Sequence, residues 1–318
     1  MPGKVLVTGA SGFIAGYCIS ELVSHGYEVR GTVRDPQKAA GRAAVAELVA
    51  ANLDSDEGWA EAVAGCDYVL HVASPFPVAD PAEEDELIRP AVEGTLRVLR
   101  AAASSGTVKR VVLTSSVAAI NAGHPGKAGL RVLTEEDWSD IDASDAYQKS
   151  KTLAERAAWD FARSDGRVEL TVVNPGMVLG PVRDGVTSTS HEPVRRLLAR
   201  DMPGVPWLGW STVDVRDLAV AHRLAMELPS AAGQRYICAG ENLWMVDMAR
   251  ILSSRYRVPT RPVPYWVLWV LGRFDGEIRS LLGSIGKREM VSADKARREL
   301  GWEMRPVSES LFDTAASL

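Results

Sequence analysis

Short apolar runs and segments of helical periodicity alternate along the first half of the chain. The β-branched run KVLVT, which starts at Lys4, leads directly into the glycine-rich segment GASGFIAG. Beyond the glycines, apolar side chains recur at helical spacing over residues 14–23, and His25 and Gly26 end the pattern. The first unit is therefore predicted to be a strand, a glycine turn and a helix.

The same alternation continues to about residue 175. Strand patterns are found at 28–33, 47–51, 67–75 and 109–116, and helical patterns at 59–64 and 85–104. Strands separated by helices form parallel sheets covered on both faces, so the predicted fold is α/β, a Rossmann-type doubly wound parallel sheet. After Met177 the alternation breaks. We predict an NADP-binding domain of residues 1–176 and 211–234, and a smaller C-terminal α/β substrate domain of residues 177–210 and 235–318.

Composition narrows the possible partners. The chain has 318 residues and a net charge of -5, so no overall positive field attracts it to nucleic acid. Its cysteines, Cys18, Cys66 and Cys238, are odd in number and lack C-x-x-C spacing, which argues against a disulfide scaffold or a metal site. A small-molecule substrate is the expected partner, and either a monomer or a homodimer is compatible with the composition.

The longest strongly apolar stretch is YWVLWVL at residues 265–271. It is far shorter than the roughly 20 residues that a bilayer span needs, so no membrane partner is predicted and the protein is expected to be cytoplasmic. A buried helix or the wall of a ligand pocket is the preferred interpretation of this stretch. An exposed apolar patch is the alternative.

The glycine turn has the features of a dinucleotide-binding loop. Gly9 can adopt backbone angles that other residues avoid, and Gly12 allows a pyrophosphate to approach the N–H groups at the start of the helix. Ala15 takes the third position of the fingerprint, where only close packing of helix on strand is required. The predicted cofactor contacts of this loop are Gly9, Ser11, Gly12, Phe13 and Ile14.

The end of the second strand predicts which dinucleotide binds. A guanidinium matches a 2′-phosphate, whereas an acidic side chain accepts hydrogen bonds from a ribose 2′-hydroxyl. Arg34 and Lys38 therefore predict NADP(H), while Asp35 leaves NAD as the alternative. Ligands of parallel sheets lie beyond the carboxyl ends of the strands, which adds as predicted contacts Asn52, Leu53, Val72, Ala73 and Ser74.

The strand at 109–116 and a later helix carry the candidate catalytic groups. Tyr147 and Lys151 are four residues apart and share one helix face, whereas Lys149 points elsewhere. A nearby ammonium favours the phenolate, so Lys151 is predicted to lower the pKa of Tyr147 toward neutral pH. Ser116, with Ser115 as the alternative one place earlier, is predicted to hydrogen-bond the substrate oxygen on which negative charge develops.

Three other titratable residues are predicted to be structural. His71 lies within an apolar strand and is interpreted as a core histidine. Asp214 and Asp217 stand at the start of a predicted helix, where acids act as caps. No metal site is predicted.

The order of these motifs resembles that of the extended short-chain dehydrogenase/reductase family, in its branch of dihydroflavonol, cinnamoyl-CoA and microbial aldehyde or ketone reductases. The resemblance covers nearly the whole chain. It is carried by VTGASGFIA from Val7, TVRDPQK from Thr32, GCDYVLHVASPF from Gly65, VVLTSS from Val111, YQKSKTLAE from Tyr147, VVNPGMVLGP from Val172, VDVRDLAVAH from Val213 and KARRELGW from Lys295.

The resemblance implies roles position by position. Ser116, Tyr147 and Lys151 match the catalytic serine, tyrosine and lysine of the family, in which the lysine also binds the nicotinamide ribose. Arg34 and Lys38 match the phosphate-binding pair of the branch. Further cofactor contacts implied by the family are Tyr147 itself, Pro175, Gly176, Val178 and Ser190.

Two departures from the family pattern bear on the ligands. Asn52 replaces the usual aspartate against adenine, which keeps a side-chain acceptor without the charge. Residues 143–147 read ASDAY where cinnamoyl-CoA reductases carry N-W-Y-C-Y, so a CoA thioester substrate is disfavoured. Asn121 matches the asparagine with which dihydroflavonol reductases hold a polyphenol. The candidate pocket residues are Phe76, Asn121, Met177 and Trp207, with Trp210 and Tyr265 as further candidates.

The predicted reaction is NADPH-dependent reduction of an aldehyde or ketone, and Asn121 favours an aromatic or hydroxylated one. Oxidation of a hydroxysteroid or another alcohol, or sugar-nucleotide epimerisation, is the alternative within enzymes and would prefer NAD. A protein that senses NADP(H) without turnover is the non-enzymatic alternative, since fold alone does not decide function. The complete set of serine, tyrosine and lysine argues against such a sensor.

Overall fold

The computed structural model describes residues 3–39, 45, 47–75, 83–124, 131–202, 204–240, 242–288 and 290–318. Its β-strands are β1 (Lys4–Val7), β2 (Glu28–Val33), β3 (Glu47–Ala50), β4 (Tyr68–His71), β5 (Arg110–Thr114), β6 (Val132–Leu133), β7 (Glu169–Pro175), β8 (Met177–Leu179), β9 (Gly209–Asp214), β10 (Arg235–Cys238), β11 (Asn242–Trp244) and β12 (Met290–Val291). Its α-helices are α1 (Phe13–Ser24), α2 (Pro36–Ala39), α3 (Trp59–Val63), α4 (Asp85–Ser105), α5 (Ala146–Asp165), α6 (Glu192–Ala199), α7 (Val215–Glu227), α8 (Met245–Leu252), α9 (Tyr265–Leu271), α10 (Gly276–Leu281), α11 (Asp294–Leu300) and α12 (Val307–Ser317).

The main sheet of the described chain has seven strands, and every neighbouring pair in it is parallel. Their order is β10-β7-β5-β4-β1-β2-β3. The order reverses between β1 and β4, which leaves a crevice beyond the carboxyl ends of these two strands. The predicted Rossmann-type doubly wound sheet is confirmed.

Two apolar layers cover this sheet. Successive strand residues point to opposite faces, so Val5 and Val7 belong to one buried cluster and Leu6 to the other. Leu22 of α1 packs in the first cluster together with side chains of α7, while Trp59 of α3 packs in the second with α4 and α5. Burying a side chain of this kind contributes about 1.5–3 kcal/mol. The layers therefore hold the strand ends in defined positions around the crevice.

A smaller unit is built around the sheet β11-β9-β8. The helices α6, α8 and α12 share a third apolar cluster that includes Leu197, Val246 and Leu311. The strand β9 runs directly into α7, so the chain passes from this unit back to the main sheet.

Two segments that the sequence assigned to the substrate domain belong to the main sheet instead. The strand β10 pairs with β7, and α11 packs on β10 and α7, with Ala296 and Leu300 in the first apolar cluster. Conversely β9, which was predicted within the main domain from residue 211, lies in the smaller sheet. An edge strand supplied by a distant segment carries no local sign of its partner, which is why the sequence pattern placed this strand in the wrong domain.

The apolar stretch at 265–271 is α9, and most of its side chains face solvent. Trp266 is 68% exposed, Tyr265 53% and Trp269 45%, while Leu268 is buried. The preferred sequence interpretation, a buried helix or a pocket wall, is wrong for these exposed side chains because α9 packs mainly against the equally short α10. Among the helices that the structure describes, none is long and apolar enough to cross a bilayer.

The two aspartates at the start of α7 have structural partners, as predicted. Asp214 accepts a hydrogen bond from the Arg216 N–H at 2.8 Å and so caps the helix. The Asp217 carboxylate lies 2.8 Å from the Arg305 guanidinium. The three cysteines are free and buried.

Candidate active site

The turn between β1 and α1 presents backbone N–H groups at the carboxyl edge of the sheet. Gly9 has a φ of 66°, and a Cβ there would lie 3.1 Å from the Cβ of Ala73. Gly12 precedes α1, and no side chain caps the start of this helix. Because the free N–H groups of a first turn carry the positive end of the helix dipole, they can hold a phosphate.

Hydrogen bonds connect this turn with the neighbouring strand ends. The Ala10 N–H donates to Thr32 O at 2.9 Å, and the Ala73 N–H donates to Thr8 Oγ1 at 3.0 Å. Thr8 Oγ1 also lies 2.9 Å from His71 Nδ1. Burial lowers the pKa of His71 to about 3, so its ring is neutral and its role is structural, as predicted.

The end of β2 leaves a guanidinium available for a ligand. Arg34 is exposed and has no hydrogen bond or ion pair with the residues that the structure describes. Asp35 Oδ1 accepts hydrogen bonds from the N–H groups of Gln37 and Lys38, at 3.0 and 3.3 Å, at the start of α2. This use of Asp35 as a cap weighs against the NAD alternative, in which its carboxylate would turn to a ribose.

The predicted adenine contacts follow β3 at the same edge. The Ala51 N–H donates to Val33 O at 3.0 Å, which ties the end of β3 to that of β2. Asn52 is exposed, and Leu53 packs closely on Gly94, where a Cβ would lie 2.8 Å from the Leu53 Cβ. The two residues therefore remain candidates for one wall of an adenine site.

A capping box fixes the start of α5, the helix that carries the candidate catalytic pair. The Gln148 N–H donates to Asp145 Oδ1 at 2.8 Å, and the Asp145 N–H donates to Gln148 Oε1 at 2.9 Å. Tyr147 and Lys151 follow one turn apart, with the Lys151 Nζ 5.9 Å from the centre of the Tyr147 ring.

The two lysines of this segment point in different directions. Lys151 Nζ donates a hydrogen bond to Ser74 Oγ at 3.0 Å and so reaches the carboxyl end of β4. Lys149 Nζ lies 2.7 Å from a Glu84 carboxylate oxygen, as expected from its place on another face of the helix. Only Lys151 of the two is therefore placed next to the crevice.

The two serines that follow β5 also point in different directions. The Ser116 hydroxyl is hydrogen-bonded to the side chain of Tyr147, and its Oγ also accepts the Ala118 N–H at 3.1 Å. The Ser115 hydroxyl donates to Glu155 Oε2 at 2.6 Å within the core. Of the two serines, Ser116 therefore contacts Tyr147, whereas Ser115 contacts Glu155.

Burial dominates the electrostatics of the tyrosine and the lysine. It raises the pKa of Tyr147, while the Ser116 hydrogen bond opposes the rise and Asp145 adds to it. Burial also lowers the pKa of Lys151 to about 8, against the attraction of Glu155. The prediction that Lys151 lowers the pKa of Tyr147 is therefore wrong, because desolvation of a phenolate outweighs this more distant ammonium. The Tyr147 phenol is protonated at neutral pH and can donate its proton.

The segment that joins β7 to β8 contains three of the predicted cofactor contacts, Pro175, Gly176 and Val178. Pro175 ends β7, and Val178 is buried in β8. Gly176 between them has no room for a side chain, since a Cβ would lie 2.1 Å from Ser211 O. The backbone at Gly176 therefore packs directly against β9, which fixes the position of Pro175 and Val178 on either side of it.

Ser190 lies in a short 3-10 turn of residues 189–191. The neighbouring His191 ring packs edge-on against Phe13, with the ring centres 4.5 Å apart. This contact brings the segment to the start of α1, where the glycine turn ends.

The candidate substrate contacts are placed unevenly. Phe76 lies outside the described residues. Asn121 follows the 3-10 turn after Ser116, and its Oδ1 is buried without a hydrogen-bond partner in the described part of the chain. Met177 and Trp207 are half-buried beside the third apolar cluster. A buried amide oxygen without a partner is unusual, so Asn121 is the best placed of these candidates to bind a polar group.

Two cavities differ in their relation to these residues. One of about 790 Å³ lies beside β10 and is lined by Trp138, Arg163 and Lys295 among others, and none of the three candidate catalytic residues lines it. A much smaller cavity of about 10 Å³ is bounded by Ser74, Lys151 and other core residues. The large cavity is therefore not assigned to the active site.

Sequence reasoning missed one residue on the catalytic helix. Glu155 is fully buried and lies one turn beyond Lys151, on the same face of α5. Its position could have been found from spacing, since residues 147, 151 and 155 recur every four places. Its contacts with Asn174 of β7 and Arg235 of β10 come from strands remote in sequence and leave no local signal.

Comparisons with known proteins identify the family and the fold of the chain. Residues 5–239 match the model of the NAD dependent epimerase/dehydratase family. The chain is 36% identical over 278 residues to tetraketide alpha-pyrone reductase 1 of Arabidopsis thaliana, covering 82% of this chain and 83% of that protein. It is also 36% identical over 340 residues to a cinnamoyl-CoA reductase of Medicago truncatula, covering 99% and 95%. The crystal structure of yeast methylglyoxal/isovaleraldehyde reductase complexed with NADPH superposes with a TM-score of 0.82 at 28% identity, covering 99% of this chain and 97% of that chain.

Proposed function

Because the chain belongs to the NAD dependent epimerase/dehydratase family, we propose that it is an NADPH-dependent reductase that converts the carbonyl group of an aldehyde or ketone into an alcohol. The observation that carries this proposal is that the side chains of Ser116, Tyr147 and Lys151 lie close together at the carboxyl edge of the main sheet. Ser116 is hydrogen-bonded to Tyr147, and Lys151 stands one turn beyond Tyr147 with its ammonium on Ser74. The relatives compared above are all named as reductases.

Tyr147 is the proton donor of the proposed reaction. When bound, the reduced nicotinamide supplies the hydride. As negative charge develops on the substrate oxygen, the hydroxyls of Ser116 and Tyr147 stabilise it, and the Tyr147 proton passes to that oxygen. The raised pKa of Tyr147 suits this role, since the phenol carries its proton at neutral pH. The Lys151 ammonium stabilises the phenolate that remains.

Lys151 has a second proposed role in holding the cofactor. Its Nζ is directed to the carboxyl end of β4 by the 3.0 Å bond to Ser74 Oγ. An ammonium at this place can donate to the ribose hydroxyls of a nicotinamide nucleotide. Because burial lowers its pKa only to about 8, Lys151 remains charged at pH 7.

We expect the phosphorylated dinucleotide to lie along the crevice, and two features support this. The uncapped start of α1, from Gly12 to the first helical turn, suits the pyrophosphate. Arg34 has no side-chain partner among the described residues and can reach the 2′-phosphate, while the neighbouring Asp35 is engaged as a cap. Around these, the proposed contacts are Gly9, Ser11, Phe13, Ile14, Lys38, Asn52, Leu53, Val72, Ala73, Ser74, Pro175, Gly176, Val178 and Ser190.

The proposed substrate class is an aromatic or hydroxylated aldehyde or ketone. Asn121 Oδ1, which has no hydrogen-bond partner among the described residues, can accept a hydrogen bond from a substrate hydroxyl, and Met177 and Trp207 supply half-buried apolar surface. A CoA thioester is disfavoured because the residues that precede Tyr147 differ from those of cinnamoyl-CoA reductases.

The test follows the absorbance of NADPH while the enzyme meets a panel of aldehydes and ketones. We expect consumption with at least one member, and a loss of about 10²–10⁴-fold in kcat for Tyr147→Phe. Binding of NADPH to this variant, measured by fluorescence, should stay close to that of the wild type. NADPH binding without consumption across the panel would favour a sensor, and NAD-dependent alcohol oxidation or epimerisation would favour the other enzymatic alternatives.

A further inference from the structure

We propose that Glu155 is a positioning residue for the catalytic serine, and that it keeps Ser116 in register with Tyr147 through Ser115 and Asn174. This inference rests on the proposed reductase function. Glu155 extends the catalytic face of α5 by one turn beyond Lys151 and therefore moves with the same helix.

Both oxygens of the Glu155 carboxylate are bound within the core. Oε2 accepts the Ser115 hydroxyl at 2.6 Å and Asn174 Nδ2 at 2.8 Å. Oε1 lies 2.5 Å from Arg235 Nε and accepts Trp159 Nε1 at 3.3 Å. A carboxylate without solvent contact needs such partners to offset its desolvation, and Arg235 supplies an ion pair where the other three supply hydrogen bonds.

Asn174 extends the connection to the backbone of the catalytic serine. Its Nδ2 donates not only to Glu155 but also to Ser116 O at 3.1 Å. The Ser115 N–H is in turn held by Val173 O at 2.8 Å. Glu155 thus restrains the peptide before Ser116 through the Ser115 hydroxyl, and the peptide after it through Asn174. A displacement of about 1 Å in a reacting group can lower a rate about 100-fold.

Arg235 holds the far side of the carboxylate. Its Nη1 donates to Glu135 O at 2.8 Å and to Asp137 O at 3.0 Å, and its guanidinium lies 3.8 Å from the centre of the Trp138 ring. Glu155 therefore joins the catalytic helix to β5, β7 and β10, which are neighbours in the sheet.

A purely structural ion pair with Arg235 is the competing interpretation. Removing one member of a buried pair destabilises the fold whatever its role in catalysis. The test therefore needs a measurement that stability alone does not change. A double-mutant comparison provides this measurement, because it asks whether the effect of a Glu155 substitution on kcat changes when Ser116 is already replaced.

We expect Glu155→Gln to lower kcat at least about tenfold while the KM for NADPH changes less than about twofold. The assay is run near pH 6, well below the Lys151 pKa of about 8, because the loss of the Glu155 charge lowers that pKa further. In a Ser116→Ala background the same change should cost less than about threefold, because the hydroxyl that Glu155 positions is already gone. An unchanged kcat for Glu155→Gln would overturn the proposal. So would a double variant whose loss of kcat equals the product of the two single losses, because the two residues would then act independently.

Asn174→Ala gives the same test without leaving a buried charge unpaired, in case Glu155→Gln does not fold. It removes the link from Glu155 to Ser116 O, and its effect should likewise vanish in the Ser116→Ala background. Trp159→Phe is the matched control, since it removes a donor from the side of the carboxylate away from Ser116 and should keep kcat within about twofold. An inactive wild type refutes the proposed function and this inference together, whereas an active wild type with multiplying losses refutes this inference alone.

Discussion

The ammonium of Lys151 lies 3.0 Å from Ser74 Oγ and donates a hydrogen bond to it. Ser74 follows β4, and Lys151 projects from the first half of α5, so this bond ties α5 to the point where the strand order reverses. Burial lowers the pKa of Lys151 to about 8. The charge at the base of the cofactor crevice therefore changes within an accessible pH range.

We predict that kcat/KM for NADPH falls as the pH rises through about 8. Below that pH Lys151 is an ammonium that can hold the ribose, and above it the amine is neutral. Titration of Tyr147 does not cause this fall, which forms the alkaline limb of the pH profile, because burial raises the pKa of Tyr147 beyond the usual value near 10. A pH profile of kcat/KM, which reports the groups of the free enzyme, checks this.

The matched variant for this profile is Lys151→Arg. A guanidinium stays charged throughout the assay range, so the limb near pH 8 should disappear even if the overall rate is lower. A limb that persists unchanged in Lys151→Arg would show that another group titrates.

The second prediction separates the two serines at the end of β5. Ser116→Ala should lower kcat about 10²–10³-fold, because it removes a donor to the developing negative charge. Ser115→Ala should cost no more than about tenfold, since its hydroxyl contacts Glu155 and not Tyr147. Steady-state kinetics of the two variants test this prediction. A larger loss of kcat for Ser115→Ala than for Ser116→Ala would make Ser115 the catalytic serine.

The features of this site that the sequence predicted are those that local spacing determines. Tyr147 and Lys151 fall on one helix face because they are four residues apart, and Ser116 falls at the crevice because it follows the carboxyl end of a buried strand. The glycine turn was readable because the chain must bend sharply between β1 and α1, and Gly9 adopts the expected positive φ.

The features that the sequence did not predict depend on tertiary contacts. The direction of the Tyr147 pKa shift is set by burial, which no spacing on α5 reveals. The strand β10 was assigned to the wrong domain because its partner β7 lies far away in the chain. The exposed face of α9 was misjudged because apolar character predicts burial only where another element is available to cover it.

The third prediction concerns the choice of cofactor. Arg34→Ala should raise the KM for NADPH about 10–100-fold, which corresponds to losing a charge-assisted hydrogen bond to a phosphate. The KM for NADH, which lacks that phosphate, should change less than about threefold. The ratio of kcat/KM for the two cofactors is the measurement.

Arg100→Ala is the control for a general loss of positive charge, since Arg100 is exposed on α4 and pairs with Glu93 at 3.7 Å. It should leave both KM values unchanged. A wild-type kcat/KM with NADH that equals or exceeds that with NADPH would contradict the assignment of Arg34.

The last prediction concerns the backbone between β7 and β8. A Cβ added to Gly176 would lie 2.1 Å from Ser211 O, and a backbone carbonyl of β9 cannot rotate away as a flexible side chain could. Gly176→Ala should therefore force β8 and β9 apart. We expect the free energy of unfolding to fall by about 1–3 kcal/mol, and the KM for NADPH to rise because Pro175 and Val178 move with the strand. Urea unfolding followed by circular dichroism measures the first effect.

Gly16→Ala is the matched control for this change, because it introduces the same methyl group in the interior of α1, where no described atom outside the local helix backbone lies within 4 Å of the new Cβ. Alanine also favours a helix, so the control should be neutral or stabilising by up to about 1 kcal/mol. Stability of Gly176→Ala equal to that of Gly16→Ala, with an unchanged KM for NADPH, would mean that β8 and β9 can separate without cost. In that case the close approach at Gly176 would not be what holds the proposed nicotinamide contacts in place.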